Sequence, residues 1–367
     1  MRNWIGALWL VTAVLALSGC ADRTELDNST LITIVGLELM DNKKLAVTGM
    51  VLDFNEESKS NEILLTGSGK TLRDTRSVLS SKIGGEFLSG KLQIVLVGKS
   101  LLQEAQLLPY LDVIYRDAKI SNNALVVTCE CSVRKLMETK WKSQPILTEY
   151  IRKLIEASYE AEMTVRTTLQ NYHYMQTEEG MTPAVSEIKP MGKEIAVTGT
   201  ALLSAEGKYA LHLTKVESLL LHLLQKNFTS PASYTATING TDGRLTVSYD
   251  IKKASTKVKT SYRDGQFHFL IRLPLRVEIA EIDQLQSLER NKTELETALK
   301  EELETALRSL LAKLQSRHVD PIGLGIHARA FQYNHWKEVS KDWGAAFSQS
   351  DIELQLSLSI DTFGVLK

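Results

Sequence analysis

The clearest pattern of apolar and polar positions lies in the last third of the chain. Phe267, Phe269, Ile271, Leu273, Leu275, Val277 and Ile279 occupy every second position, as do Leu245, Val247, Tyr249 and Ile251 and again Ile352, Leu354, Leu356, Leu358 and Ile360. A period of two places each set on one face of a strand, so these runs predict an antiparallel sheet buried on one side and hydrated on the other. Asp264-Gly265, between residues 258–262 and Phe267, is a two-residue hairpin turn. The period then changes. Leu285, Leu288, Leu295, Leu299, Leu303, Leu307, Leu310 and Leu314 recur at steps of three, four or seven, which predicts one long helix over 283–317 with a single apolar stripe. Glu296 with Lys300 and Glu304 with Arg308 are i,i+4 pairs for its wet side. Such a stripe either packs across the sheet or forms a seam for a partner helix; packing is the expectation. Pro321, Gly323 and Gly325 separate this helix from another over 326–336.

The rest of the chain is less regular. Residues 32–39 and 44–51 are β-rich and flank the turn-prone Asp41-Asn42, which predicts a hairpin. Gly67-Ser68-Gly69-Lys70 lacks the spacing of a phosphate-binding loop and is expected as a plain loop before a helix over 71–82. Residues 92–97 and 124–129 are short apolar strands on either side of a helical stretch, 101–115, broken at Pro109. Residues 145–174 carry a helical face of Ile146, Leu147, Tyr150, Ile151 and Leu154, and the polar stretch 178–190 is expected as a linker. Two strands follow around Glu206-Gly207, and Thr214-Lys215-Val216-Glu217 is a capping box that opens a helix through Leu219, Leu220 and Leu221. Strands mixed with helices in this way predict an α+β chain.

The N-terminus differs in kind. One basic residue, Arg2, precedes an apolar run from Trp4 to Leu17 interrupted only by Gly6 and Thr12. The run is shorter than the ~20 residues of a membrane span and fits a secretory signal. It ends in Leu17-Ser18-Gly19-Cys20, a lipobox with Leu at −3, Ser at −2, Gly at −1 and Cys at +1. Cys20 is expected to become the first residue of the mature chain and to carry a diacylglycerol on sulfur, with its freed amino group open to an N-acyl lipid. Two acyl chains anchor stably where one does not. The remainder would then be a water-soluble body tethered to the outer face of a membrane.

Composition narrows the function. A content of 43% hydrophobic and 24% charged residues is that of a globular protein, and a net charge of −1 argues against nucleic acid, which wants a basic face. Besides Cys20 only Cys129 and Cys131 remain. One such pair makes no zinc site, and a disulfide across a single residue would be strained, so two reduced, packed thiols are expected. The seven histidines form no His-Glu-x-x-His motif, and Gly84-Gly85-Glu86-Phe87 is one acidic residue short of a diguanylate cyclase signature and is expected in a loop. No catalytic residue, metal site or cofactor other than the Cys20 lipid is expected. Trp336 and Trp343, near Lys337, either pack the last helix on the sheet or form an interface with a partner or lipid headgroups.

Taken in order, these pieces resemble the Ger(x)C proteins, the lipoprotein C subunits of GerA-type nutrient germinant receptors. Near the anchor the family reads Cys-Trp-Asp-Arg-x-Glu-Leu; Cys20, Asp22, Arg23, Glu25 and Leu26 fit, and Ala21 replaces the aromatic residue. Gly90-Lys91-Leu92 stands where the family has Gly-His-Leu, Gly199-Thr200-Ala201 fits the start of its C-terminal region, and His335-Trp336-Lys337, Asp342-Trp343 and Phe347 fit its end. The resemblance implies a signal peptide over 1–19 and three consecutive α+β domains over 20–190, 191–230 and 231–367, the last an antiparallel-rich sheet with a long helix packed across it. It also implies a non-catalytic lipoprotein on the outer face of the spore inner membrane, partnered by integral-membrane A and B subunits. The alternative is a stand-alone envelope lipoprotein that binds a solute or acts as an enzyme.

Overall fold

The computed structural model describes residues 29–40, 43–52, 62–82, 86–88, 90–141, 146–225, 228, 231–240, 243–283 and 292–363. Cys20, its lipobox, the Asp22–Leu26 motif, Leu285 and Leu288 lie outside them.

The first sheet has nine strands. β1 (Ser29–Leu39), β2 (Leu45–Leu52) and β3 (Glu62–Gly69) form an antiparallel meander, and the short β4 (Glu86–Leu88) pairs parallel with β1. β5 (Ile94–Gly98), β6 (Leu125–Cys129) and β7 (Ala184–Met191) continue from β1, each parallel to its neighbour. β8 (Glu194–Leu203) and β9 (Tyr209–Thr214) close the row antiparallel. Parallel pairs need crossovers, and helices supply them. α1 (Leu72–Ser80), α2 (Lys99–Glu104), α3 (Leu108–Tyr115) and α6 (Leu169–Thr177) cover one face with Leu79, Leu101, Leu102, Leu107, Leu111 and Leu169. α4 (Val133–Glu138) and α5 (Leu147–Glu160) cover the other with Val133, Leu136, Leu147, Ile151 and Ile155. Every residue of β5 and of β6 is buried, the signature of a strand covered on both sides.

Several expectations for this half are corrected. Residues 67–69 are not a loop but the end of β3, paired with Leu45, Ala46 and Val47. Glu86-Phe87 lies in a strand. The helix over 145–174 is two helices, because Glu162 takes a positive φ of 58° after α5 and the chain runs extended to Thr168, which caps α6. The stretch 178–190 is not a linker: from Ala184 it is a central strand whose polar Ser186 and Glu187 are buried because each has a partner. Cys129 and Cys131 are joined as a disulfide and not left as two thiols. The chain leaves the extended form at Glu130, which brings the two Cα atoms to 5.2 Å, inside the ordinary disulfide range.

The second sheet is built from β10 (Ala232–Gly240), β11 (Gly243–Ala254), β12 (Lys257–Arg263), β13 (Gln266–Ile282) and β14 (Asp351–Thr362). The turn between β12 and β13 has positive φ at both Asp264 (52°) and Gly265 (79°), the geometry that matches strand twist in a two-residue hairpin. Its inner face meets α8 (Lys292–Ser316), whose Leu295, Leu299, Leu303, Leu307, Leu310 and Leu314 are buried with the alternating residues of β11 and β13. The leucine stripe is therefore core. One pairing differs from a purely antiparallel sheet: β14 lies parallel to β13, because α8 and the short helices α9 (Leu324–Phe331), α10 (Tyr333–Val339) and α11 (Trp343–Ser348) form a long crossover between them. Glu296 is not simply a wet-side partner of Lys300. Its carboxylate accepts the Ile360 N–H at 2.8 Å on the open edge of β14.

The unit over 191–230 divides between the two sheets. β8 and β9 belong to the first sheet, whereas α7 (Lys215–Gln225) buries Leu219, Leu220, Leu221, Leu223 and Leu224 in the second core. Its capping box forms as expected: Glu217 N–H donates to Thr214 Oγ1 at 3.2 Å and Thr214 N–H to Glu217 Oε2 at 2.8 Å. Gly199 is needed where β8 passes close to the end of β9. It has a φ of 144°, and a Cβ there would collide with the Leu213 carbonyl.

Candidate functional site

In an open sheet with parallel strands, ligands sit at the carboxyl ends of strands whose following helices leave to opposite faces. That condition is met once β5 is followed by α2 on one face and β6 by α4 on the other. A cleft of about 810 Å³ opens there, lined among others by Glu38, Lys99, Gln103, Glu130 and Lys135. Glu38 closes one wall: its carboxylate accepts the Val133 and Arg134 N–H groups at 2.9 and 3.2 Å, at the start of α4.

Behind the cleft is a charged cluster. The Glu187 side chain, 1% exposed, faces His212 Nδ1 in a short contact, accepts the Tyr209 hydroxyl at 3.1 Å and lies 3.6 Å from Lys99 Nζ. Lys99 also donates to Glu130 at 3.0 Å and stands 4.5 Å over the Tyr209 ring. Burial alone would raise the Glu187 pKa, but His212, Lys99 and the Tyr209 hydroxyl hold it below the ordinary carboxylate value. Burial likewise works against the Lys99 ammonium, yet Glu130, Tyr209 and Glu187 outweigh it and its pKa is raised. Tyr209 is pushed up to about 12, by burial first and by Glu187 second. Both proton donors are thus held protonated, and an ammonium ion is not a nucleophile. The cluster ties the residues that follow β5 and β6 to the strands β7 and β9 as a network of paired groups. Among the described residues no group of three or more His, Cys, Asp or Glu side chains could hold a metal ion.

A second polar concentration joins the two halves. Asp320, fully buried, accepts the Gly323 and Gly325 N–H groups, each at 2.9 Å, and the Trp343 Nε1–H at 2.8 Å. Its own backbone carbonyl accepts the Thr182 N–H at 2.9 Å. Burial raises the Asp320 pKa against the pull of these donors. Arg329 holds Glu178 by two hydrogen bonds of 2.7 and 2.8 Å, and Gly325 packs so closely on Gly180 that a Cβ would strike its backbone. His222 of α7 and Glu162, each 1% exposed, form a further buried contact between the halves.

Of the two readings of Trp336, Lys337 and Trp343, packing on the sheet or an interface, the placement of the two tryptophans fits packing. Trp336 and Trp343 are 6% and 4% exposed, Trp343 edge-on to Phe267 at 5.3 Å, and both belong to the core; Lys337 alone of the three is exposed. Sequence patterning does not bring Lys99, Glu187, Tyr209 and His212 together. One signal was available: Glu187 sits beside Val185 and Ile188, and a charge within a buried strand requires a partner.

Residues 22–190 match the family described as "Spore germination protein N-terminal domain", and residues 198–364 match "Spore germination B3/ GerAC like, C-terminal". The chain is 21% identical to spore germination protein B3 of Bacillus subtilis (strain 168) over 96% of each chain. It is 23% identical to spore germination protein A3 of the same organism over 98% of each. The crystal structure of the GerBC protein superposes with a TM-score of 0.59 at 17% identity, covering 89% of this chain and 96% of that one, a likeness of fold.

Proposed function

We propose, since this chain belongs to the Ger(x)C family of spore germination proteins, that it is the lipid-anchored C subunit of a nutrient germinant receptor. A role in spore germination comes with the family. The finer reading adds three parts. Acylated Cys20 holds the body on the outer face of the spore inner membrane. The body docks beside integral-membrane A and B subunits, and it binds without catalysing a reaction.

The observation that carries the reading is the family match over both halves of the chain, 22–190 and 198–364. Two features support its finer parts. Among the described residues no helix is long and apolar enough to cross a membrane, so a lipid on Cys20 would supply the anchor. The charged groups nearest the cleft pair with one another and Lys99 and Tyr209 are held protonated, which suits a structural network better than acid–base chemistry. An anchor also turns a dilute encounter with the partner subunits into one at roughly millimolar effective concentration.

Cys20→Ala tests the reading. The variant should carry no lipid label, leave the spore membrane fraction and weaken the germination response to nutrients. Full membrane retention with an unchanged response would sink it. A wild-type chain that purifies from spore membranes without integral-membrane partners would favour the stand-alone lipoprotein.

A further inference from the structure

Strand polarity orients the body relative to its anchor. β1, β5, β6 and β7 are parallel, so all four begin at the same end of the first sheet. Ser29, the first residue of β1, lies at that end, and the chain between it and Cys20 spans no more than about 30 Å when fully extended. The segment just before β7 lies toward that end too, three strand spacings or roughly 15 Å across the sheet, with Ala184 level with Ile34 of β1 and so about five residues or roughly 17 Å along the strands from Ser29. That segment holds α9: Glu178 binds Arg329, Gly180 packs on Gly325 and the Thr182 N–H donates to the Asp320 carbonyl. The end of α9 and the start of α10 therefore lie on the anchor side of the molecule. The cleft lies at the opposite end, after the carboxyl termini of β1, β5 and β6.

The α9–α10 corner presents aromatic rings to solvent. Phe331 is 64% exposed and Tyr333 58%, the two most exposed aromatic side chains on the described surface. Neither is loose. Phe331 stacks on His327 at 6.1 Å, Tyr333 on Trp336 at 6.3 Å and the next ring, His335, on Tyr262 at 3.8 Å. Arg329, locked to Glu178, lies 5.4 Å over Trp336 and stiffens the base of the corner. Rigid rings that a monomer leaves in water mark a contact surface, and Tyr favours the boundary where one end is apolar and the other wet.

We propose that this corner is a bilayer-contact ledge, with Phe331 and Tyr333 seated among the lipid headgroups beneath the body. The proposal rests on the anchoring of Cys20 and adds an orientation to it: α9–α10 toward the lipid, the cleft toward the aqueous side. Lys337 is exposed beside Glu338, so the local charges offset and the contact is aromatic more than electrostatic. It should therefore persist in salt that screens exposed charges.

The test uses the full lipidated chain in phosphatidylcholine–phosphatidylglycerol vesicles. A fluorophore is placed on Asn334→Cys in the corner or on Lys135→Cys in the cleft, and nitroxide-headgroup lipids act as quencher. Quenching at 334 should exceed that at 135 several-fold, in low and in high salt. Phe331→Ser with Tyr333→Ser should remove the difference while the chain still floats with the vesicles. Equal quenching at the two positions in floating protein overturns the ledge and leaves the anchor standing. Failure to float overturns the anchor, and the ledge with it. A photocrosslinker at position 331 that captures an integral-membrane subunit in spore membranes, and no lipid, also overturns the ledge.

Discussion

In the first sheet, β5 and β6 are buried on both faces and their residues run apolar without alternation; in the second, β13 alternates buried and open positions along most of its length. The two halves also handle charge differently. The first buries Glu187 and surrounds it with Lys99, Tyr209 and His212, whereas the exposed face of the second carries surface pairs such as Arg276 with Asp361 at 2.9 Å. A sheet covered on both sides has no water to receive a charge, so a polar group within it is either paired or costly. A sheet with one wet face keeps its charges outside and depends on a single apolar layer. The difference predicts that the second sheet is held chiefly by packing and the first also by a pH-dependent network, the buried Asp320 lying off the second sheet at the join between the halves.

The sharpest way to break the comparison is to remove packing where it is densest. Leu303 is fully buried between α8 and the second sheet. Leu303→Ala should cost about 2–5 kcal/mol, the range for a buried leucine that leaves a cavity. Chemical denaturation of the isolated protein measures it. A partner seam would behave otherwise, with intact stability and failed assembly, and unchanged denaturation of the variant would refute the core assignment of the stripe.

The next test falls on the first sheet. Glu187→Ala leaves Lys99 and His212 without their shared carboxylate. Both are partly exposed and can recruit water, so the loss should be about 1–3 kcal/mol at neutral pH, below that of a fully buried pair. The sign of its pH dependence follows from the lowered pKa of Glu187. A group whose folded pKa lies below its unfolded value stabilises fully above the unfolded value, about 4.3 for glutamate, and loses that contribution as the pH falls through the folded value. Wild type and variant should therefore converge in stability as the pH drops below about 4. Parallel curves over the acid range would mean that Glu187 packs without acting as a charge.

How far the sequence could be read follows from the same contrast. One-sided burial leaves a periodic record, so β11, β13, β14, the Leu stripe of α8, the Asp264-Gly265 turn and the Thr214–Glu217 capping box were legible. Two-sided burial leaves none. Residues 178–190 read as linker because the stretch is polar and holds Gly180, Pro183 and Pro190, and although a charge such as Glu187 calls for a partner, its neighbours in sequence do not say that the partners lie on β9. β3 was hidden by Gly67 and Gly69, which pair as strand only because β2 lies alongside. The direction of β14 was hidden too, since alternation gives a face but not an orientation. The Leu17–Cys20 pattern and the Asp22–Leu26 stretch lie outside the described residues, whereas the cleft and its charged network arise only when segments more than 30 positions apart are brought together.

The smallest effect tests the boundary between the two modes, at the open edge of β14. An unpaired strand edge invites pairing with another chain, and proteins cover such edges with charged side chains or helices. Here α8 does both. Glu296 accepts the Ile360 N–H at 2.8 Å, and Arg308, paired with Glu304 at 2.7 Å, donates to the Leu354 carbonyl at 3.3 Å. Glu304→Ala disturbs an exposed ion pair and should cost between about 0 and 1 kcal/mol. Ile360 is buried in the intact protein, and truncating Glu296 to Ala opens its edge amide to water, so the cost should be about 1 kcal/mol. The two variants separate in hydrogen exchange. Glu296→Ala should speed exchange of the Ile360 amide and Glu304→Ala should not, because only Glu296 covers that donor. An Ile360 amide that stays equally protected in both variants would mean that the body of α8, and not the carboxylate, shields the edge.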